Sequence, residues 1–187
     1  MKKIILASQS PRRKQLLEWA EVDFEIYVKE TDESFPADMH VTDVPVHIAR
    51  NKALVVKNDL NSGHLIIAAD TVVVLDNEII GKPKDREEAV NILTRLSGRT
   101  HSVVTGVCLM GGEKEYVFAD STSVTFHELA KEQLEYYVDH YKPYDKAGAY
   151  AIQEWIGVVG IRSVQGDFYN VMGLPVSRVI QEMKRFV

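Results

Sequence analysis

Between Leu65 and Leu75 the chain is a run of aliphatic, largely β-branched residues that reads as one buried β-strand, broken once by Asp70. Taking a carboxylate out of water is costly unless something compensates the charge. Asp70 is therefore either a structural carboxylate paired with a backbone amide or a lysine, or a functional group placed where its surroundings tune it.

Strand and helix signals alternate around that segment. Ile4 to Leu6 predicts a short buried strand, and Leu16, Leu17 and Ala20 mark one face of the helix that follows. Phe24 to Val28 reads as a strand, Thr31 to Asp43 as a loop, and Val46 to Leu60 as a helix. Asp76-Asn77 suits a hairpin turn into Glu78-Ile79-Ile80. Asp85 with Glu88 forms a capping-box pattern for a helix through Leu96, closed by Gly98. Ser102 to Met110 and Tyr116 to Phe126 alternate as an antiparallel pair across Gly111-Gly112. A helix from about Leu129 to His140 comes next, then a Gly- and aromatic-rich stretch from Tyr144 to Gly173. Leu174 to Phe186 predicts a closing helix entered through Pro175. This order implies an α/β fold with a mixed sheet and helices on both sides, in one domain or two closely fused lobes.

Of the 187 residues, 45% are hydrophobic, a globular value, and no apolar run approaches the ~20 residues that span a bilayer. The apolar segment after Lys2 and Lys3 is short and runs into a charged helix, unlike a signal peptide. One cysteine, Cys108, leaves no internal disulfide and fits a reducing compartment, so a cytoplasmic protein with no membrane partner is expected. A net charge of −5 argues against a nucleic-acid polymer as partner. Phosphate recognition would have to be local, by cations scattered along the chain: Arg12, Arg13, Lys52, Lys82 and Lys146. A small polyanion is the expected ligand.

The segment Leu6-Ala7-Ser8-Gln9-Ser10-Pro11-Arg12-Arg13 gathers several of the needed groups. Ser10 stands where an N-cap belongs, and Pro11 suits the first helical position, where its missing N–H costs nothing. Free N–H groups, two hydroxyls and two guanidinium groups then meet at a helix N-terminus, a place suited to phosphate. The plainer alternative is a capped helix with arginines on a solvated face. Lys52 falls within the apolar stripe Ile48, Ala49, Ala53 and Val56, either snorkelling at its edge or facing an anion in a cleft. Gly81-Lys82-Pro83 holds its lysine on a stiff loop. Asp32-Glu33 is a paired carboxylate in a loop, able to ligate a hard cation or simply to be solvated. Gln153, after Tyr144 to Ile152, carries donor and acceptor together and could read a base edge. Gly166 to Asn170 reads as a second loop of the same kind. Cys108 reads as core, and the histidines lack metal-ligand spacing.

Taken together, Leu6 to Arg13, Ala69-Asp70-Thr71, Gly81-Lys82-Pro83, Leu96-Ser97-Gly98, Tyr144 to Tyr150 and Gly173-Leu174-Pro175 resemble the Maf (septum formation inhibitor) family of nucleotide pyrophosphatases. The resemblance covers essentially the whole chain as a single domain of residues 1–187. It implies an elongated α/β fold of two lobes around a deep cleft, related to the inosine triphosphate pyrophosphatases. It also implies hydrolysis of a nucleoside triphosphate to a monophosphate and pyrophosphate, dependent on a divalent cation (Mg²⁺ or Mn²⁺), and a homodimer. Asp70 falls on the family's catalytic carboxylate, and Ser8, Arg13, Glu33, Lys52, Lys82 and Gln153 fall on its active-site positions. Arg12, Thr71 and Gln153 are similar to the specificity set of the branch that acts on dTTP and UTP.

The chemistry of these residues fits that reaction. Arg13, Lys52 and Lys82 would neutralise phosphates, with Ser8 holding one oxygen. Glu33 and Asp70 are the leading metal ligands, and Asp70 as base, metal ligand or both stays open. Arg12, Thr71 and Gln153 would contact the pyrimidine. The biological role is expected in nucleotide-pool sanitation or in division arrest. The competing classes are a non-hydrolysing nucleotide-binding regulator of septum formation and a phosphatase releasing orthophosphate.

Overall fold

The computed structural model describes residues 3–60 and 63–186. In chain order its first elements are β1 (Lys3–Leu6), α1 (Pro11–Trp19), β2 (Phe24–Ile26), α2 (Val44–Asp59), β3 (His64–Leu75), β4 (Glu78–Ile80) and α3 (Arg86–Leu96). There follow β5 (Thr100–Gly111), β6 (Lys114–Phe126), α4 (Lys131–Tyr141), α5 (Trp155–Gly160), β7 (Ile161–Gln165), α6 (Phe168–Met172) and α7 (Val176–Met183). The described residues form two compact units, each assembled from separate stretches of chain. The first holds the residues up to Thr71, Thr105–Asp120 and those from Gly173 onward; the second holds Val72–Val104 and Ser121–Met172. β3, β5 and β6 contribute to both.

In the first unit β1 runs parallel to both neighbours, with Ile5 opposite Glu25 of β2 and Ile66 of β3. α1 leads from β1 to β2, and α2 leads from β2 back across β1 to β3. Parallel crossovers are right-handed, so connections that leave in opposite directions put their helices on opposite faces of the sheet. Side-chain parity agrees. Ile5, Ala7, Ile66 and Ala68 face α2, where Ala49, Ala53 and Val56 close over them with Cys108 and Met110. Leu6, Ile67 and Ala69 face the other way and are buried, as are Leu16 and Leu17 of α1. Gly106 lets α2 lie against the sheet: a Cβ there would stand 2.2 Å from the backbone of Pro45 and Val46.

The second unit is built from hairpins and short helices. Asp76 and Asn77 both take positive φ, 52° and 63°, as a two-residue hairpin turn requires, and β4 returns antiparallel with Ile80 opposite Val73. β5 and β6 are neighbours joined through Gly112-Glu113, and β7 pairs antiparallel with β6. Ala89, Ile92, Leu93 and Leu96 of α3 and Leu134, Tyr137 and Val138 of α4 supply buried helix faces. An aromatic cluster lies deep in this unit. His101 stacks on Phe126 at 5.6 Å and meets Tyr150 edge-on, its Nε2 within 2.7 Å of the Tyr150 hydroxyl. Its Nδ1 is buried without a hydrogen-bond partner.

The α/β class and the alternation of elements match the expectation from sequence. Several local readings are corrected. Ser10 occupies the N-cap position of α1, but its hydroxyl caps nothing; its own N–H donates to Ser8 Oγ at 3.2 Å instead. Asp85 caps α3 by accepting from Glu88 N, whereas Glu88 accepts from Lys84 N, one residue short of a reciprocal box. α4 starts at Lys131, not Leu129, because Leu129 N is held by Ser97 Oγ at 2.7 Å. Of Gly166 to Asn170 only Gly166 and Asp167 are irregular; Phe168 begins α6, where Asp167 accepts from Tyr169 N and Asn170 N. The stretch from Tyr144 to Gly173 also contains α5 and β7. The closing helix ends at Met183, and residues Lys184–Phe186 form a 3₁₀ turn.

Two stability measurements test this packing. Gly106→Ala forces a methyl into the α2 backbone and should cost at least ~2 kcal/mol in a urea titration, as overpacking does. Burial pushes the pKa of His101 down to about 4 from an unfolded 6.5. The unfolded chain therefore binds the proton that the folded chain refuses, and stability falls as pH drops from 6.5 towards 4. The loss should reach about 3 kcal/mol and shrink in His101→Phe.

Candidate active site

β1 stops at Leu6, where Ala7 N donates to the Ile67 carbonyl at 2.8 Å, and the chain turns away into α1. β3 runs on, so Asp70 and Thr71 lie past the end of β1. They lie just beyond the carboxyl end of β1, where the chain leaves for α1 while β3 continues to its hairpin with β4. In open α/β sheets the crevice outside the carboxyl end of a parallel strand is where ligands bind. Successive side chains of a strand point to opposite faces, so Asp70 serves the α2 side and Thr71 the α1 side.

On the α2 side, Lys52 Nζ lies 2.8 Å from Asp70 Oδ1 and 2.7 Å from Glu33 Oε1. The Lys52 and Asp70 side chains are 18% and 16% exposed, whereas Glu33 is 57% exposed. The stem of Lys52 rises from the buried stripe of Ile48, Ala49, Ala53 and Val56, as the sequence spacing implied. Glu33 reaches it from the irregular segment before α2. That segment is bent by Asp32, whose carboxylate accepts from Ser34 N at 2.8 Å and Ser34 Oγ at 2.7 Å. These bonds hold the pKa of Asp32 below its ordinary value. The adjacent acids thus part company, one making a turn and the other meeting the lysine.

On the α1 side the centre is Arg13. Its Nε donates to the Gly173 carbonyl at 2.8 Å, Nη1 to Ser8 Oγ at 3.0 Å and Nη2 to Thr71 Oγ1 at 3.0 Å. Thr71 Oγ1 also lies 2.9 Å from Thr105 Oγ1. Burial lowers the pKa of Arg13, the charge of Asp70 opposes that shift, neighbouring Arg12 adds to it, and Glu33 counters. The guanidinium has five N–H donors, so those three bonds leave donors for an anion at the α1 N-terminus. Ser8 accepts from both Arg13 and Ser10 N, which leaves its proton to donate. Arg12 is half-buried beside it.

The other candidates belong to the second unit. Lys82 and Gln153 are both exposed, on loops tied together by Gly148 N donating to the Gly81 carbonyl at 3.1 Å. Lys146, expected among the phosphate-binding cations, is instead buried and paired with Asp145 at 2.7 Å and Glu154 at 3.6 Å. Glu154 also accepts from the Tyr137 hydroxyl, which in turn accepts from Ala151 N. Lys146 fastens the segment carrying Gln153 and is spent there.

Two groups escaped the sequence reading: Thr105 and the Gly173 carbonyl, both partners of the Arg13 cluster. Thr105 follows Val104 in an alternating strand and gives no local signal, and a carbonyl has none. Among the described residues, no set of three or more His, Cys, Asp and Glu side chains converges as a metal cage. The donor set here is the pair of carboxylates on Lys52. Two hard oxygen donors suit a divalent cation that draws its remaining ligands from water and phosphate.

Arg13→Lys keeps the charge but cannot span three acceptors. We expect thermal or urea unfolding to register a loss of about 2–3 kcal/mol.

A family model for Maf-like protein matches residues 3–186. The chain is 50% identical over 182 residues to a dTTP/UTP pyrophosphatase of Cytophaga hutchinsonii, covering 97% of this chain and 83% of that protein. A dTTP/UTP pyrophosphatase of Parabacteroides distasonis is 48% identical, covering 98% of this chain and 96% of that one. One from Porphyromonas gingivalis is 49% identical, with 98% and 94% covered. With similarity running along nearly its whole length, this chain belongs to the family of Maf-like proteins.

Proposed function

We propose that this protein hydrolyses dTTP and UTP, and modified pyrimidine nucleotides of the same shape, to the nucleoside monophosphate and pyrophosphate. Relatives at 44–50% identity carry the name dTTP/UTP pyrophosphatase. The observation that carries the reading is Asp70, a carboxylate just past the carboxyl end of β1 with Oδ1 held by Lys52. Its other oxygen is the one assigned to the water. That water attacks the α-phosphorus, its proton passes to Asp70, and the bond from the α-phosphorus to the α–β bridging oxygen breaks. Pyrophosphate leaves with the bonding pair.

The polyanion needs cations aimed where charge builds up. The remaining N–H donors of Arg13, the Ser8 hydroxyl and the α1 N-terminus supply one set. Lys52 supplies a mobile ammonium, and Lys82 enters on its motif. Glu33 and Asp70 would hold a Mg²⁺ or Mn²⁺ ion, which neutralises phosphate oxygens when bound. For base selection the reading assigns Arg12, Thr71 and Gln153. Because the Thr71 hydroxyl is engaged by Arg13 and Thr105, its influence would pass through Arg13. A cytoplasmic homodimer accompanies this reading. No described helix is long and apolar enough to cross a membrane.

The test is a panel of nucleoside triphosphates incubated with Mg²⁺ or Mn²⁺, with products identified by chromatography. Monophosphate with pyrophosphate, strongest from dTTP and UTP, is expected. Orthophosphate would mean a phosphatase, and binding without turnover a regulator; either overturns the reading. Asp70→Asn should lower turnover by about 10²–10⁴ in a protein that still folds.

A further inference from the structure

We propose that Lys52 is a built-in counter-ion, occupying with its ammonium the position between Glu33 and Asp70 that a divalent cation takes in the working enzyme. The triphosphate draws that ammonium off, so the metal binds well only together with the nucleotide. This inference rests on the proposed reading of the site and adds the order in which its charges assemble.

The geometry behind it is the double contact of one nitrogen, 2.7 Å from Glu33 Oε1 and 2.8 Å from Asp70 Oδ1. An ammonium seated between the two carboxylates fills the space a divalent ion bound to both would need, and two cations that close repel each other. Without a cation the two carboxylates would repel each other across a partly desolvated gap. Lysine suits the task as arginine would not: it is a compact charge on a flexible stem, with three donors that can be redirected singly. The stem is anchored in the apolar stripe of α2, so the head can swing while the helix stays put. Arg13 cannot substitute, because it is fastened on the other face by Ser8, Thr71 and Gly173.

Linkage sets the consequences. A free metal ion must displace Lys52 and binds weakly. A triphosphate gives the ammonium another partner, so each ligand strengthens the other by the same factor, about tenfold. In this way the protein keeps its two carboxylates from holding a metal ion idle between turnovers.

The experiment reads Mn²⁺ binding by electron paramagnetic resonance on the whole protein without nucleotide. Lys52→Gln should bind Mn²⁺ about tenfold more tightly than the unaltered chain. The double variant Lys52→Gln/Glu33→Gln should lose that gain. A folded Lys52→Gln protein whose Mn²⁺ affinity is unchanged or weaker overturns the proposal. If Lys52→Gln does not fold, acetylation of the Lys52 amine is followed by mass spectrometry in the unaltered protein. A several-fold faster reaction at saturating Mn²⁺ supports displacement, and an unchanged rate overturns it. None of these measurements reads turnover. A protein that hydrolyses nothing yet shows the tightening loses the proposed function alone, and an active enzyme without it loses only this inference.

Discussion

A guanidinium shut away from water holds the candidate site together. Arg13 joins Ser8, Thr71 and Gly173, the last of them 160 positions away in sequence. Burying a charge is unfavourable unless geometry and partners are good. Here three hydrogen bonds and the nearby Asp70 carboxylate provide both. The result is a helix N-terminus whose distance from the sheet is fixed before any ligand arrives. Preorganised donors of this kind need no rearrangement when charge develops on a substrate.

The second constraint is the alternation of β3. Asp70 and Thr71 are neighbours in sequence and face opposite layers, so one strand feeds two clusters. Asp70 reaches the lysine of α2, and Thr71 steadies the arginine of α1. A register slip of one residue would exchange their faces and present a hydroxyl to Lys52 and a carboxylate to Arg13. Both faces of the strand are otherwise buried and aliphatic, so this polar pair is what tells one face from the other.

Much of this was legible because burial and turn chemistry leave strong marks. The β3 run, the Asp76-Asn77 hairpin and the Lys52 position within its apolar stripe could all be read directly. What stayed hidden has a physical reason in each case. α5 contains Trp155, Ile156, Gly157, Val158, Val159 and Gly160, a poor set of helix formers; tertiary packing makes it a helix. Its Gly157 sits so close to the Ile152 carbonyl that no side chain fits. Lys146 reads as a phosphate ligand in sequence because a neighbouring acid such as Asp145 need not pair with it, and Glu154, its second partner, is eight positions further along. The Lys52–Glu33 contact was equally invisible, since Glu33 arrives on an irregular segment without periodicity.

Cys108 belongs to the apolar layer beneath α2, completely covered, with burial raising its pKa to about 12. A thiol so placed is inert to alkylating reagents while the layer is intact. It becomes reactive only in molecules where that layer has opened, as when the second helix lifts from the sheet. The chain thus carries an intrinsic reporter of local opening at the element that bears Lys52, and timed maleimide labelling would count those excursions without any foreign probe.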